Sequence, residues 1–362
     1  MRRVTKVMVV IPALGTGGGE KIAIDIAANV DKRKIEVLVV SLYGKKDTIL
    51  DRYAMDLGLN VVYLDKKIGF DAKVIGRLHK VYKEFKPDVI HTHLYVGPYV
   101  FFATPRKVKK IHTVHNLAEK EATGLLRTLM LFGYKMWNVV PVAISPLCAR
   151  TISDLYHIEL QTIPCIMNGI DINRFNLQRT VHQKIRFLNV GRFYPQKNQK
   201  LLIEAFKRVH SCIEETELEL VGDGYLRKEL ENQIESLGLS GTVIMNGETD
   251  RVDLKLNNAD VFVMSSDFEG LPVSVLEAMA SGLPIVSTAA GGTVDIVEHE
   301  ENGLIVDVGN GDQLAEAMIR LAHDKELRIT MGKKSRKMAG QYSIEKCSEA
   351  YQKLYLNKYW RR

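Results

Sequence analysis

Two carboxylates, Glu269 and Glu277, stand eight positions apart in the stretch from Ser266 to Gly282, SDFEGLPVSVLEAMASG. The first lies in a loop after the apolar run Val261–Met264. The second lies in a short helix that Pro272 opens and Gly282 closes. Proline suits the first helical position, where its missing N–H is no loss, and glycine suits the position past the last turn. A strand, a tight loop and a helix start make an anion site, because free backbone N–H groups and the helix dipole point at whatever sits there. With a carboxylate on each side, such a site suits a ligand that is part phosphate and part polyol, as a nucleotide sugar is.

Upstream, Arg192 and Lys197 fall in the loop Gly191–Asn198 after the strand-like run Ile185–Val190. A guanidinium grips phosphate through two donors and an ammonium acts as a point charge, so the pair could neutralise a diphosphate without a metal. No Asp-x-Asp triplet, a usual cue for a divalent ion against a sugar diphosphate, occurs anywhere in the chain. Taken alone, a loop arginine and lysine are surface charges in most proteins. A second glycine loop, Gly15–Gly19 with Gly17 and Gly18 at its centre, precedes Glu20-Lys21. Glu20 breaks the Gly-x-Gly-x-x-Gly pattern and Lys21-Ile22 breaks the Walker pattern. What remains is a loop whose backbone can approach a ligand closely, or a tight turn only.

Four histidines cluster at two strand ends: His91 and His93, which period 2 places on one face, and His112 and His115. They do not have the usual ligand set of a structural or catalytic zinc site, so no metal is expected. Each also fits a hydrogen-bonded histidine closing a strand.

The elements that must position these residues alternate. Val7–Pro12, Val37–Leu42, Val61–Leu64, Val89–His93, Lys110–Val114 and Val142–Ser145 read as strands, with helices over Lys21–Val30, Ile49–Leu57, Ala72–Phe85 and Leu125–Trp137. After a polar linker, Asn168–Gln183, the strands Ile185–Val190, Glu217–Val221, Val243–Asn246, Val261–Met264, Ile285–Thr288 and Leu304–Val306 follow. Their helices are Gln199–His210, Tyr225–Leu237, Leu254–Asn258, Pro272–Ser281, Thr293–Glu298 and Gly311–His323, with an amphipathic tail helix over Ile344–Tyr359. Alternation at this spacing predicts parallel sheets with crossover helices. The expected class is α/β, two Rossmann-like domains facing across a cleft. Residues 1–172 form the first domain and 173–340 the second. Residues 341–362 form a C-terminal helix that packs back on the first.

At 362 residues, 46% hydrophobic and 26% charged, the chain fits a two-domain globular protein. No apolar run reaches the roughly 20 residues that cross a bilayer. Arg2-Arg3 before Val7–Leu14 faintly imitates a signal peptide, but a first buried strand fits better. Cys148, Cys165, Cys212 and Cys347 are scattered, which points to a reducing, cytoplasmic setting. The net charge of +7 is uneven: residues 1–172 hold 25 Lys+Arg against 16 Asp+Glu, and residues 173–362 hold 25 against 27. The basic half suits an anionic membrane surface or phosphorylated acceptor, or is a solvated lysine-rich face. It carries no nucleic-acid recognition motif. The run Leu125–Trp137, flanked by Lys120, Arg127 and Lys135, is apolar enough for a core helix and also fits a membrane interface, which Arg106, Lys107, Lys109 and Lys110 would extend.

The basic pair, Val221-Gly222-Asp223-Gly224, the two glutamates, Gly291–Val297 and Asn302–Val306 occur in an order and spacing that resembles the retaining glycosyltransferases of family 4, with the GT-B fold. The resemblance implies sugar transfer from a nucleoside diphosphate sugar, most simply a UDP-sugar, to a hydroxyl of a glycan or lipid-linked acceptor in polysaccharide biosynthesis. It also implies no cofactor. Glu277 would hold the ribose hydroxyls and Glu269 the donor sugar. Gly270, Leu271, Pro272 and Val273 would line the diphosphate, Arg192 and Lys197 would grip it, and Gly17 and Gly18 would close over it. Gly222 belongs to the same donor site. His115 matches the histidine that faces the transferred sugar, and His93 would line the acceptor side. Asp295 stands where the family often has glutamate. A peripheral place on the inner face of the plasma membrane accompanies this reading. The alternatives are a nucleotide-sugar epimerase on the same fold and a non-catalytic nucleotide-sugar-binding subunit. A glycosidase fits poorly, since its two carboxylates must flank the scissile bond.

Overall fold

Strands covered on both faces need near-continuous apolar runs, and this chain supplies them: every residue of Val261–Met264 and of Val139–Ala143 is buried. The computed structural model describes residues 3–176 and 182–357. It divides into two units, one of residues 1–169 and 344–362, the other of residues 170–343.

The first unit holds β1 (Thr5–Ile11), α1 (Gly18–Asn29), β2 (Ile35–Ser41), α2 (Ile49–Asp56), β3 (Val61–Tyr63), α3 (Ala72–Phe85) and β4 (Val89–His93). These are followed by α4 (Gly97–Ala103), β5 (Lys109–Val114), α5 (Ala118–Glu121), α6 (Gly124–Met136), β6 (Val139–Ala143) and α7 (Pro146–Tyr156). The second unit holds β7 (Ile185–Val190), α8 (Gln199–Cys212), β8 (Thr216–Val221), α9 (Arg227–Ser236), β9 (Val243–Asn246), α10 (Val252–Asn257) and β10 (Val261–Met264). It closes with α11 (Val273–Ala280), β11 (Ile285–Thr288), β12 (Gly303–Val306), α12 (Gly311–His323) and α13 (Lys325–Ala339). α14 (Ile344–Leu356) returns to the first unit.

Each unit has one six-stranded sheet, ordered β3-β2-β1-β4-β5-β6 and β12-β11-β10-β7-β8-β9, with all neighbours parallel. In both, the order reverses beside the unit's first strand, between β1 and β4 and between β7 and β10. Crossovers part to opposite sides there and leave a crevice beyond the strands' carboxyl ends, where ligands of open α/β sheets bind.

The structure departs from the sequence reading in several places. α4, α5, α7 and α13 are additional helices. Ser145 caps α7 by accepting the Cys148 N–H at 3.1 Å, which ends β6 at Ala143 and moves that strand earlier in the chain. The helix expected over Thr293–Glu298 is a 3₁₀ turn, Gly291–Asp295. Part of the expected linker is a second such turn, Ile172–Phe175, capped by Asp171. Residues 177–181 of the linker, Arg2, and the tail beyond residue 357 lie outside the described residues. α6 is not a core helix throughout: it buries Met130, Gly133 and Tyr134 and leaves Leu125, Phe132 and Met136 exposed. Lys109 and Lys110 are not offered to a surface partner. Lys110 is buried on the carbonyls of Pro105 and Val108, and Lys109 donates to those of Leu354 and Asn357 at the end of α14. Burial brings both ammonium groups down to about 8.

α14 packs on α1 and buries Cys347, Tyr351, Leu354 and Tyr355. Each such side chain is worth about 1.5–3 kcal/mol. Its two tyrosines reach the sheet. Tyr355 OH meets His91 Nδ1 at 2.7 Å, His91 Nε2 meets Thr113 Oγ1 at 2.7 Å, and Thr113 Oγ1 meets Tyr351 OH at 2.8 Å. The His91 and His93 rings lie 4.1 Å apart, and His93 Nδ1 meets His115 Nε2 at 2.8 Å. Burial holds His91 and His93 neutral, far below the usual histidine range. It brings His115 from 6.5 to about 4, against the opposing pull of Glu121.

Tyr351→Phe removes one buried hydrogen-bond partner and is expected to lower stability by about 1–2 kcal/mol, read as a lower urea midpoint at constant slope. An unchanged midpoint would show that the ladder holds nothing. The rings stay neutral in the fold while the unfolded chain protonates at the ordinary 6.5. Stability is therefore complete above pH 6.5 and falls as pH drops toward 4. Melting temperatures taken from pH 8 to pH 4 check the sign.

Candidate functional site

In the second unit the chain leaves β7 at Gly191 and β10 at Ser265, the two strands that flank the reversal of order. Side chains and backbone stitch the two loops together. The Gln196 amide donates to Phe268 O at 2.8 Å and Asp267 N–H to Gln196 O at 2.9 Å. Ser265 Oγ donates to the carbonyls of Lys197 and Asn198, and Asn198 Nδ2 donates to Asp267 Oδ1 at 2.9 Å. A 3₁₀ turn over Pro195–Lys197 then aims Lys197 inward, where its Nζ lies 2.7 Å from Glu269 Oε1. Both side chains are mostly buried, 20% and 8% exposed. A buried carboxylate without such a partner would be strongly destabilising.

Two glycines are required by this geometry. Gly222 has φ +141°, and a Cβ there would strike the Gly191 carbonyl. Gly291 has φ +54°, a Cβ there would strike the backbone of Glu269, and the next residue, Gly292, donates its N–H to Glu269 O at 3.1 Å. The Gly291-Gly292 turn thus supports the loop that carries Glu269. Pro272 is the residue before α11 rather than its first, because its ψ of 114° is extended. No side chain among the described residues caps the start of α11, so its first amides are open to an anion. Gly270, Leu271 and Pro272 are buried and Val273 is half-buried at that start. Glu277 lies one turn further on, 7% exposed. Arg192 stays exposed, its guanidinium 5.0 Å from the centre of the Tyr194 ring, and forms no ion pair among the described residues. The structure thus joins Lys197 to Glu269 and leaves Arg192 apart from both carboxylates.

In the first unit Gly17 precedes α1 and Gly18 opens it. Glu20 folds its carboxylate back over Gly17, in the space a side chain there would need, which is how a third-position glutamate serves a helix start. A Cβ on Gly19 would lie 3.3 Å from His115 Cγ, so the glycine loop and His115 are neighbours. His115 is half-buried, and His93, bonded to it, is fully buried with its Nε2 unpartnered among the described residues. One of the two rings must donate and the other accept.

Glu121 is the residue that motif reasoning missed. Its Oε2 accepts the N–H groups of His115 at 2.5 Å and Asn116 at 2.7 Å, and its Oε1 lies 3.5 Å from His112 Nε2. A carboxylate six residues past His115 was its only trace in the sequence. Among the described residues no three His, Cys, Asp or Glu side chains are grouped to hold a metal ion.

Comparison with known proteins bears on the chemistry. Residues 16–174 match the family described as Glycosyltransferase Family 4, and residues 172–338 match that described as Glycosyl transferases group 1. Among curated relatives is the UDP-Gal:alpha-D-GlcNAc-diphosphoundecaprenol alpha-1,3-galactosyltransferase of Escherichia coli, 26% identical over 79% of this chain and 80% of the relative. Another is the N-acetyl-alpha-D-glucosaminyl L-malate synthase of Bacillus anthracis, 25% identical over 79% of each. Among solved structures, Anabaena HepE in complex with UDP and glucose superposes with a TM-score of 0.84 at 20% identity, covering 97% of this chain and 99% of HepE. Sucrose-phosphate synthase of Thermosynechococcus elongatus gives 0.83 at 18% identity, covering 97% and 98%. Two parallel six-stranded units, each matched by its own glycosyltransferase family, establish that the chain is a family 4 glycosyltransferase with the GT-B fold.

Proposed function

We propose that this enzyme moves a sugar from a UDP-sugar to a hydroxyl of a lipid-linked or glycan acceptor in polysaccharide biosynthesis, with anomeric configuration retained and without a metal ion. The observation that carries the reading is the Lys197–Glu269 pair beside the uncapped start of α11. It sets a cation, a carboxylate and open amides around one point, as a diphosphate joined to a sugar requires. UDP as the nucleotide is supported by HepE, solved with UDP and glucose and with UDP-glucose. A lipid-linked acceptor is supported by the diphosphoundecaprenol substrate in the name of the Escherichia coli relative. A cytoplasmic setting rests on four free cysteines.

In the reaction the bond from the anomeric carbon to the diphosphate oxygen breaks and a bond to the acceptor oxygen forms on the same face. The acceptor proton passes to the departing diphosphate. Lys197, Arg192 and the amides at Val273 and Ser274 stabilise the charge growing on that group, and Glu277 holds the ribose hydroxyls. Glu269 orients Lys197 and meets the sugar hydroxyls. His115, neutral in the fold, offers a ring nitrogen to the sugar without adding charge.

Lys197→Ala is expected to cut turnover about 10²-fold or more, the scale of losing one preorganised donor. Because it also strands a buried carboxylate, Lys197→Ala combined with Glu269→Gln serves as the control: it regains stability and stays slow. Full turnover in either variant removes Lys197 from the machinery. Transfer is expected to persist in excess EDTA and to give a product with the donor's anomeric configuration by NMR. Loss in EDTA with recovery on added Mg²⁺, or an inverted product, overturns the corresponding part of the reading.

A further inference from the structure

His93, at the carboxyl end of β4, is fully buried, so its ring reaches a ligand only through a neighbour. That neighbour is His115, whose Nε2 lies 2.8 Å from His93 Nδ1. The His93 ring is fixed from behind. It lies against His91 at 4.1 Å between ring centres, and His91 is pinned at both nitrogens, by Tyr355 and Thr113. The backbone around His115 is fixed too. Glu121 accepts the N–H groups of His115 and Asn116, and Cys148 Sγ donates to the carbonyls of Val114 and Asn116 at 3.5 and 3.2 Å. What these contacts leave open is which nitrogen of His115 carries the proton.

The buried end of His93 decides it. Desolvation keeps both rings neutral, so each carries one N–H. A proton on His93 Nε2 would be an orphan donor, because that buried nitrogen has no partner among the described residues. Buried N–H groups are orphaned less often than buried acceptors. The proton therefore sits on His93 Nδ1 and is donated to His115 Nε2. His115 must then carry its own proton on Nδ1, since the hydrogen bond made at one ring nitrogen sets the state of the other. Gly19, in the first turn of α1, lies beside that atom: a Cβ there would stand 3.4 Å from Nδ1 and 3.3 Å from Cγ. Hydrogen in place of that Cβ leaves the Nδ1 edge uncrowded. His115 is half-buried, and its Nδ1–H is the polar ring group it has left to offer.

We propose that His93 is a positioning residue that fixes His115 as its Nδ1–H tautomer, so that His115 meets the transferred sugar as a hydrogen-bond donor to a hydroxyl oxygen and not as a base. This rests on the proposed contact between His115 and the sugar, but the tautomer itself is read without any substrate. A neutral ring with one nitrogen protonated and the other engaged takes no proton from the acceptor hydroxyl, which agrees with that proton passing to the departing diphosphate.

Proton–nitrogen correlation NMR on the full chain with isotope-labelled histidine reads the tautomer, the His115 signals being identified by their loss in His115→Gln. His115 is expected to show a protonated Nδ1 and a bare Nε2. A His115 protonated on Nε2 in the parent overturns the proposal. In His93→Asn the amide nitrogen stands where Nδ1 stood and donates in its place. In His93→Gln the amide stands where Nε2 stood, and His93→Leu has no donor at all. The Asn variant is expected to keep the tautomer and most of the turnover. The Gln and Leu variants are expected to shift His115 toward Nε2–H and to lose about 10²-fold in kcat, the scale of one preorganised donor. UDP, which lacks the sugar, is expected to bind all three alike, a result that a collapsed site would not give. A loss of kcat in the Asn variant equal to that in the Leu variant, or a fall in UDP affinity alongside kcat, assigns His93 to structure alone and overturns the proposal. If His93→Leu does not fold, the Asn and Gln pair decides. A parent protonated on Nδ1 whose Gln and Leu variants shift tautomer yet turn over normally overturns the sugar contact of His115, and with it that part of the proposed function.

Discussion

A parallel sheet whose strand order reverses leaves a crevice that its own crossovers cannot fill. Both units of this enzyme are built on that constraint, with the same order counted from the first strand of each. Everything placed at the site follows from it. Loops leaving β7 and β10 emerge side by side, so residues 72 positions apart, Lys197 and Glu269, come within 2.7 Å. In the first unit the same constraint brings the glycine loop after β1 next to His115, just past β5, which is bonded in turn to His93 at the end of β4.

The ion pair then explains features that would otherwise look unrelated. A mostly buried lysine and glutamate are stable together and costly apart, so the loops must hold them in register. The contacts of Gln196, Asn198, Ser265 and Asp267 do this on one side, and the Gly291-Gly292 turn does it on the other. Arg192 plays a different part. Exposed and stacked on Tyr194, it is held by no carboxylate among the described residues, and is available to a phosphate.

Much of this was legible in the sequence where local rules operate. The strands Ile185–Val190, Val243–Asn246, Val261–Met264 and Ile285–Thr288 fall where alternation and apolar runs put them. So do the short helix between Pro272 and Gly282 and the buried face of α14. What escaped was non-local or masked by composition. α7 was hidden by a Ser-Pro cap that also displaced β6. Glu121 acts through backbone N–H groups, which no spacing motif encodes. Tyr351 and Tyr355 find their partners more than two hundred residues upstream. The apolar run at Leu125–Trp137 looked like core because composition does not tell which side of a helix faces outward. Its exposed stripe emerges only when α4 is seen to occupy the other side.

The first unit is discontinuous: residues 344–356 lie against α1, which is made long before them. As the chain leaves the ribosome, His91 and Thr113 have no tyrosine hydroxyls to meet until the whole second unit has emerged. The earlier-made half is therefore the later-finished one, and it spends that interval with an uncovered apolar groove. A nascent chain stalled anywhere before residue 344 would consequently be a client for chaperones, whatever the state of the half that already encloses its own core.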